Sequence, residues 1–183
     1  MAEKDEFESI ALPHLDSMYR FAVAICRDSQ IAEDLVQTTF LKAFEQFDSF
    51  EKGTNCKAWL SRILRNKWFD QLRHSRVAGE TLTIEEQMVA AEDCSEQITW
   101  TNCQDLLENF SDEQVITALK KLPDQQRMVL FLVDVEQLSQ AETADVLDIA
   151  VGTVKSRTSR ARKMLKKELL VYAKEMGYLG GEK

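Results

Sequence analysis

The sequence predicts an all-α protein: two small helical domains joined by an acidic linker, the second a helix-turn-helix. Three observations carry that prediction. Breakers are scarce, with six glycines and only two prolines, Pro13 and Pro123, in 183 residues. The segments between them repeat apolar residues at three- and four-residue steps, the period of a helix with one buried stripe. Capping signals stand ahead of several of those segments, twice as a serine followed three residues later by Gln or Glu.

Residues 7–26 read as a first helix or helix pair, with Ile10, Leu12, Leu15, Met18, Tyr19, Ala22, Val23 and Ile25 on the buried side. Pro13 fits the first turn of a helix, where its missing N–H costs nothing. Asp28 or Ser29 caps the next helix, which runs to about Phe47. Its apolar stripe is Ile31, Leu35, Val36, Thr39, Phe40, Ala43, Phe44 and Phe47, and its other face carries Glu33, Asp34, Gln37, Thr38 and Lys42. Residues 48–56, DSFEKGTNC, form a loop with Gly53 as breaker.

Residues 59–76, WLSRILRNKWFDQLRHSR, interleave rings with positive charge. Trp59, Trp68 and Phe69 offer flat faces, and Arg62, Arg65, Lys67, Arg73 and Arg76 stand against one acid, Asp70. That mixture suits single-stranded nucleic acid, whose bases stack on rings and whose phosphates pair with cations. The same stretch carries a helical stripe of Leu60, Ile63, Leu64, Trp68 and Leu72. An amphipathic helix with a solvated basic face explains it equally well.

Residues 79–110 are acidic and weakly patterned, a linker with some helix around 95–109. A connection of that length argues for two domains. Ser111 and Gln114 then fit a capping box ahead of Val115, Ile116, Leu119 and Leu122. Pro123 fits the first turn of the following helix, through Met128, Val129, Phe131, Leu132 and Val135. Ser139 and Glu142 form a second capping box, opening a short helix to about Leu147. After the tight connection 148–150, a last long helix starts near Gly152 with the stripe Val154, Thr158, Ala161 and Leu165. Gly177 fits its C-terminal stop, with Tyr178 as the hydrophobic partner. A short helix, a tight turn and a basic helix make a helix-turn-helix, whose second helix reads base edges in the major groove. Lys155, Ser156, Ser159 and Arg160 share one face near its N-terminus, while Arg157, Arg162, Lys163, Lys166 and Lys167 are better placed for phosphates. The alternative is a solvated basic helix in a helical hairpin.

A net charge of −8 argues against nucleic acid until its distribution is seen. Residues 77–119 hold ten acids and no Lys or Arg, whereas residues 155–167 hold seven Lys or Arg and no acid. The cysteines, Cys26, Cys56, Cys94 and Cys103, form no CxxC pair and lie far in sequence from His14 and His74, so reduced thiols are expected and no metal site. No nucleophile–base pair or phosphate-cradling loop is visible, so neither an enzyme nor a cofactor is expected. The polar N-terminus does not read as a secretory signal, and no segment is apolar for long enough to insert in a membrane, which points to the cytoplasm.

Two pairs of segments resemble the extracytoplasmic-function (ECF) sigma factors, bacterial sigma factors with only regions 2 and 4. AEDLVQTTFLKAF (32–44) resembles their helix that docks on the polymerase β′ clamp, and WLSRILRNKWFDQLR (59–73) the helix that melts and reads the −10 element. LPDQQRMVLFL (122–132) and VGTVKSRTSRARKML (151–165) resemble the domain that reads the −35 element. The resemblance implies residues 1–78 as region 2, 79–110 as linker and 111–183 as region 4. It implies polymerase contacts at Glu33, Asp34, Gln37 and Thr38. It implies −10 contacts at Lys57, Trp59, Arg62, Arg65, Asn66, Trp68, Phe69 and Arg73, with the loop 50–56 as the other wall of the base pocket. It implies −35 contacts at Thr153, Lys155, Ser156, Arg157, Ser159, Arg160, Arg162 and Lys163. The implied partners are core RNA polymerase, through its β′ clamp and β flap, promoter DNA and, as in many relatives, an anti-sigma factor. Four positions depart from the pattern: Asp148 replaces the usual turn glycine, Ser159 stands where an aromatic or histidine is common, and Cys56 and Lys57 replace aromatics found in some members.

Two other readings account for less. A free-standing operator-binding regulator leaves the 59–76 stretch and the Asp34/Gln37 face unexplained. A protein–protein adaptor needs no intact basic recognition helix.

Overall fold

Pro13 splits the first predicted segment in two. In the computed structural model, which describes residues 2–77 and 117–175, α1 (Ala2–Ala11) and α2 (Leu15–Cys26) meet at a 3-10 turn, Leu12–His14, that holds the proline. The turn breaks the helical register, so the apolar stripe does not carry through it. Leu12 and Leu15, expected inside, are exposed. Arg27 ends α2 in the left-handed conformation, φ 63°, and its N–H bonds the Val23 carbonyl. Asp28 then caps α3 (Ser29–Glu45), accepting from the Gln30 and Ile31 amides at 2.8 and 3.0 Å. α3 stops two residues short of the expected Phe47, which falls in a second 3-10 turn, Phe47–Ser49. Phe44 is also a correction: it sits edge-on to Phe7, centroids 5.3 Å apart, but keeps its outer side exposed. Gly53 turns the following loop with φ 90°, a left-handed conformation that favours glycine. α4 (Cys56–Val77) completes the N-terminal half. Met18, Phe21 and Ile25 of α2, Leu35 and Val36 of α3, and Leu60, Leu64, Trp68 and Leu72 of α4 are buried together.

The predicted linker helix, the Ser111/Gln114 capping box and the Gly177 stop lie outside the described residues. Residues 117–120 are helical. Pro123 is the N-cap of α5 (Asp124–Leu130), one position before the first turn where it was expected. α5 widens into a π-helical turn, Phe131–Val135, closed by the Glu136 amide on the Phe131 carbonyl at 2.9 Å. The Ser139/Glu142 capping box is present in both directions and opens α6 (Gln140–Leu147). Asp148 makes the turn at φ 52°, ψ 51°, in the left-handed region that a short polar side chain tolerates. α7 (Val151–Glu175) follows after two residues, with Val154, Thr158, Ala161 and Leu165 buried as their spacing predicts. Ala118, Leu119, Leu122, Leu130, Ala161, Leu165 and Leu169 form a small core of the C-terminal half's own.

The two halves pack directly on each other. α2 lies against α5 and the π turn, and α4 lies against α6. Phe21 stacks on Phe131, centroids 5.6 Å apart and planes 18° apart, so one buried apolar cluster runs through both halves. Arg127 pins the junction. Its side chain is 0% exposed. It donates to the Ala24 carbonyl and, at 3.2 Å, to the Ile25 carbonyl, both at the C-terminus of α2, where helix carbonyls lack intrahelical partners. The same guanidinium bonds the Leu122 carbonyl at 2.8 Å and pairs with Asp124 at 2.5 Å. Burial lowers its pKa, and Asp124 opposes that shift.

Candidate nucleic-acid interface

Three faces carry the predicted residues. On α3, Glu33, Asp34, Gln37 and Thr38 are all exposed. The Thr38 hydroxyl donates back to the Asp34 carbonyl at 2.9 Å, so it is held against its own helix. Leu41, 67% exposed, and Phe44 extend this ridge one and two turns further. Residues 34, 37, 41 and 44 repeat at three- and four-residue steps, a signal in the sequence that marks one apolar–acidic outer face.

On α4 the predicted residues divide by direction. Arg62, Asn66 and Arg73 are exposed, and with half-buried Phe69 they form a ridge at steps of four, three and four. Arg73 pairs with Asp70. Trp59 is half-buried, its ring 5.1 Å from Phe50 across the loop. Trp68 is only 6% exposed, so its ring packs in the core and positions the helix. The guanidinium of Arg65 lies 4.7 Å from the Phe69 centroid. It donates to Asn66 Oδ1 at 2.9 Å and to the Leu147 carbonyl at 3.0 Å, while its buried Nε has no partner among the described residues. Burial lowers its pKa, and nearby Asp148 works the other way. Lys57 faces the C-terminal half: its Nζ donates to the Glu136 carbonyl at 2.8 Å and lies 3.3 Å from Glu136 Oε2.

On α7, Lys155, Ser156, Ser159, Arg160 and Lys163 are exposed along one side of the first three turns. Thr153 and Arg157 are half-buried, and burial followed by the charge of Arg160 lowers the pKa of Arg157. Arg162 forks onto Asp134, Nε at 3.1 Å and the terminal nitrogen at 2.6 Å, which ties α7 to the π turn. A row of exposed cations and hydroxyls at the start of a helix, behind a tight turn, can meet base edges and phosphates together.

Sequence reasoning missed the polar groups between the halves: Ser17, Arg20, Asn55, Arg127, Glu136 and Glu142 in its second role. Each reads as a solvated surface residue, and contacts across 87 to 119 residues leave no spacing to detect. Among the described residues, Cys26 and Cys56 are free thiols. Burial pushes Cys56 up to about 11 and raises Cys26 as well. Among the described residues no three His, Cys, Asp or Glu side chains stand close enough to hold a metal ion, and no helix is long and apolar enough to cross a membrane.

Comparison with known proteins matches residues 11–77 to the family described as Sigma-70 region 2 and residues 112–165 to that described as Sigma-70, region 4. The chain is similar to the ECF RNA polymerase sigma factor EcfG of Rhodopseudomonas palustris, 34% identical over 91% of this chain and 87% of that one. It is 32% identical to the ECF RNA polymerase sigma factor SigW of Bacillus subtilis, over 91% of this chain and 90% of that one. Among solved structures it resembles the sigma factor RpoE in complex with the anti-sigma factor NepR from Bartonella quintana, with 32% identity and a TM-score of 0.70 over 91% of this chain and 98% of that one.

Proposed function

Because this chain belongs to the sigma-70 family, among its ECF members, we propose that its three exposed faces divide the work of promoter-specific initiation. As a sigma factor it binds core RNA polymerase and promoter DNA and directs transcription initiation through −35 and −10 recognition. Residues 1–78 form the polymerase- and −10-binding region, 79–110 the acidic linker and 111–183 the −35-reading region. The α3 ridge of Glu33, Asp34, Gln37 and Thr38 docks on the β′ clamp, with Leu41 and Phe44 adding apolar area, and the C-terminal half meets the β flap. Arg62, Asn66, Phe69 and Arg73 track the non-template −10 strand, with Trp59 at the base pocket, Lys57 and Arg65 beside it, and Trp68 supporting the helix from within. Lys155, Ser156, Ser159 and Arg160 read the −35 element, helped by Thr153 and Arg157, while Lys163 meets phosphate and Arg162 braces the helix. The chain is not an enzyme by itself, works in the cytoplasm beside the polymerase, and takes an anti-sigma factor as a further candidate partner.

The observation that carries this reading is the exposed polar–basic row on the first turns of α7, set behind a capped α6 and the Asp148 turn. Run-off transcription with purified core polymerase tests it. The chain is expected to give a promoter-dependent transcript that core polymerase alone does not. An operator-binding regulator gives none, and neither does an adaptor.

A further inference from the structure

The contacts that the loop and α4 make with the C-terminal half have one polarity. From the loop and α4 come three donors: Asn55 Nδ2, Lys57 Nζ and the Arg65 guanidinium. From the C-terminal half come three acceptors: Glu142 Oε1 at 2.6 Å, the Glu136 carbonyl at 2.8 Å with its carboxylate at 3.3 Å, and the Leu147 carbonyl at 3.0 Å. The Glu136 side chain is 1% exposed and is also held by the Ser17 hydroxyl and, at 3.5 Å, by Arg20. Lys57 and Arg65 are among the residues assigned above to the −10 strand, whose backbone is itself a line of anionic acceptors. The α3 ridge and the α7 row stay exposed in the same arrangement.

We propose that the C-terminal half acts as an internal mimic of the −10 strand, with Glu136 standing where a phosphate would be, so that the closed chain withholds Lys57 and Arg65 from the strand while Arg62, Asn66 and Arg73 stay exposed. The inference rests on the −10 reading of α4. DNA and Glu136 compete for the same ammonium, so the strand gains Lys57 and Arg65 only after the halves part. Docking on polymerase through α3 and −35 contact through α7 require no such parting and can precede it. The closed chain is therefore a staged reader, able to use two of its faces in full before the third is complete. The π turn supplies the means, since it ends α5 and delivers Glu136 to the surface of α2 and α4.

The test uses the full-length free chain and two labelled probes from a promoter selected with the holoenzyme: its single-stranded non-template −10 region and its −35 duplex. Glu136→Gln removes the mimic's charge. Ser17→Leu puts an apolar side chain where the carboxylate sits and leaves the C-terminal half unaltered, so it decides the matter if Glu136→Gln fails to fold by circular dichroism. Both are expected to bind the −10 strand at least tenfold more tightly than wild type by fluorescence anisotropy, with −35 affinity within twofold. Adding Asn66→Ala to either is expected to remove the gain. Equal strand affinity of wild type and the folded variants overturns the latch. Failure of the −10 reading has a different signature: wild-type and Asn66→Ala holoenzymes would then show the same permanganate reactivity at −10 thymines.

Discussion

Arg160 and Arg162 are two positions apart on one basic helix, yet the structure gives them different surroundings. Arg160 is exposed beside Lys155, Ser156 and Ser159, whereas Arg162 is held by the nearly buried Asp134 carboxylate. A bidentate guanidinium contact to a base edge contributes about 1–3 kcal/mol of discrimination. Arg160→Ala is therefore expected to weaken binding to the −35 duplex and relax the preference at one position across a promoter library. Arg162→Ala is expected to spare sequence preference and lower the thermal midpoint, because it leaves the Asp134 charge unpaired. If the two variants shift the library profile alike, the division of roles is wrong. The sequence alone placed both on a basic helix but assigned Arg162 to phosphate, since a partner 28 residues upstream leaves no mark on local spacing.

At the scale of elements, what the sequence made legible was whatever closes within one turn of the chain. The Asp28 cap, the Ser139/Glu142 box and the Val154 to Leu165 stripe stand as their spacing predicts. Helix ends moved where a proline reset the register, which also left Leu12 and Leu15 outside. The turn between α6 and α7 sets the angle of the recognition helix, so its conformation matters more than its length. Asp148 holds φ 52° without being glycine, a conformation costing most L-residues roughly 1–2 kcal/mol. Asp148→Gly is expected to keep or raise the thermal midpoint and keep −35 binding. Asp148→Val, β-branched and unable to bond locally, is expected to lower both. Equal midpoints for the two variants would show that the turn bears no strain.

The whole molecule poses a balance that no single element shows. The proposed latch requires the halves to part before the −10 strand gains Lys57 and Arg65, yet they share an apolar cluster and a buried arginine. The halves were legible in the sequence as separate patterns, but their contact was not, because Arg127 and Glu136 carry charges that local reading assigns to solvent. Arg127 satisfies three carbonyls and Asp124 with one planar fork, and two of those carbonyls belong to the other half. A lysine is a point donor on a flexible stem and cannot match that fork. Breaking a buried, hydrogen-bonded charge network by removing one partner costs about 3–5 kcal/mol. If that network couples the halves, Arg127→Lys should leave each half folded while letting them melt apart. Urea unfolding followed by two probes tests this. In a Trp100→Phe background the remaining tryptophans, Trp59 and Trp68, both report on the N-terminal half. Circular dichroism reports on both halves. With Arg127 present the two curves are expected to coincide; with Arg127→Lys they are expected to separate, the dichroism beginning to fall at lower urea than the fluorescence. Coincident curves in the lysine variant, with a midpoint unchanged from wild type, would mean that the apolar cluster alone couples the halves and that the arginine is a passenger at their junction.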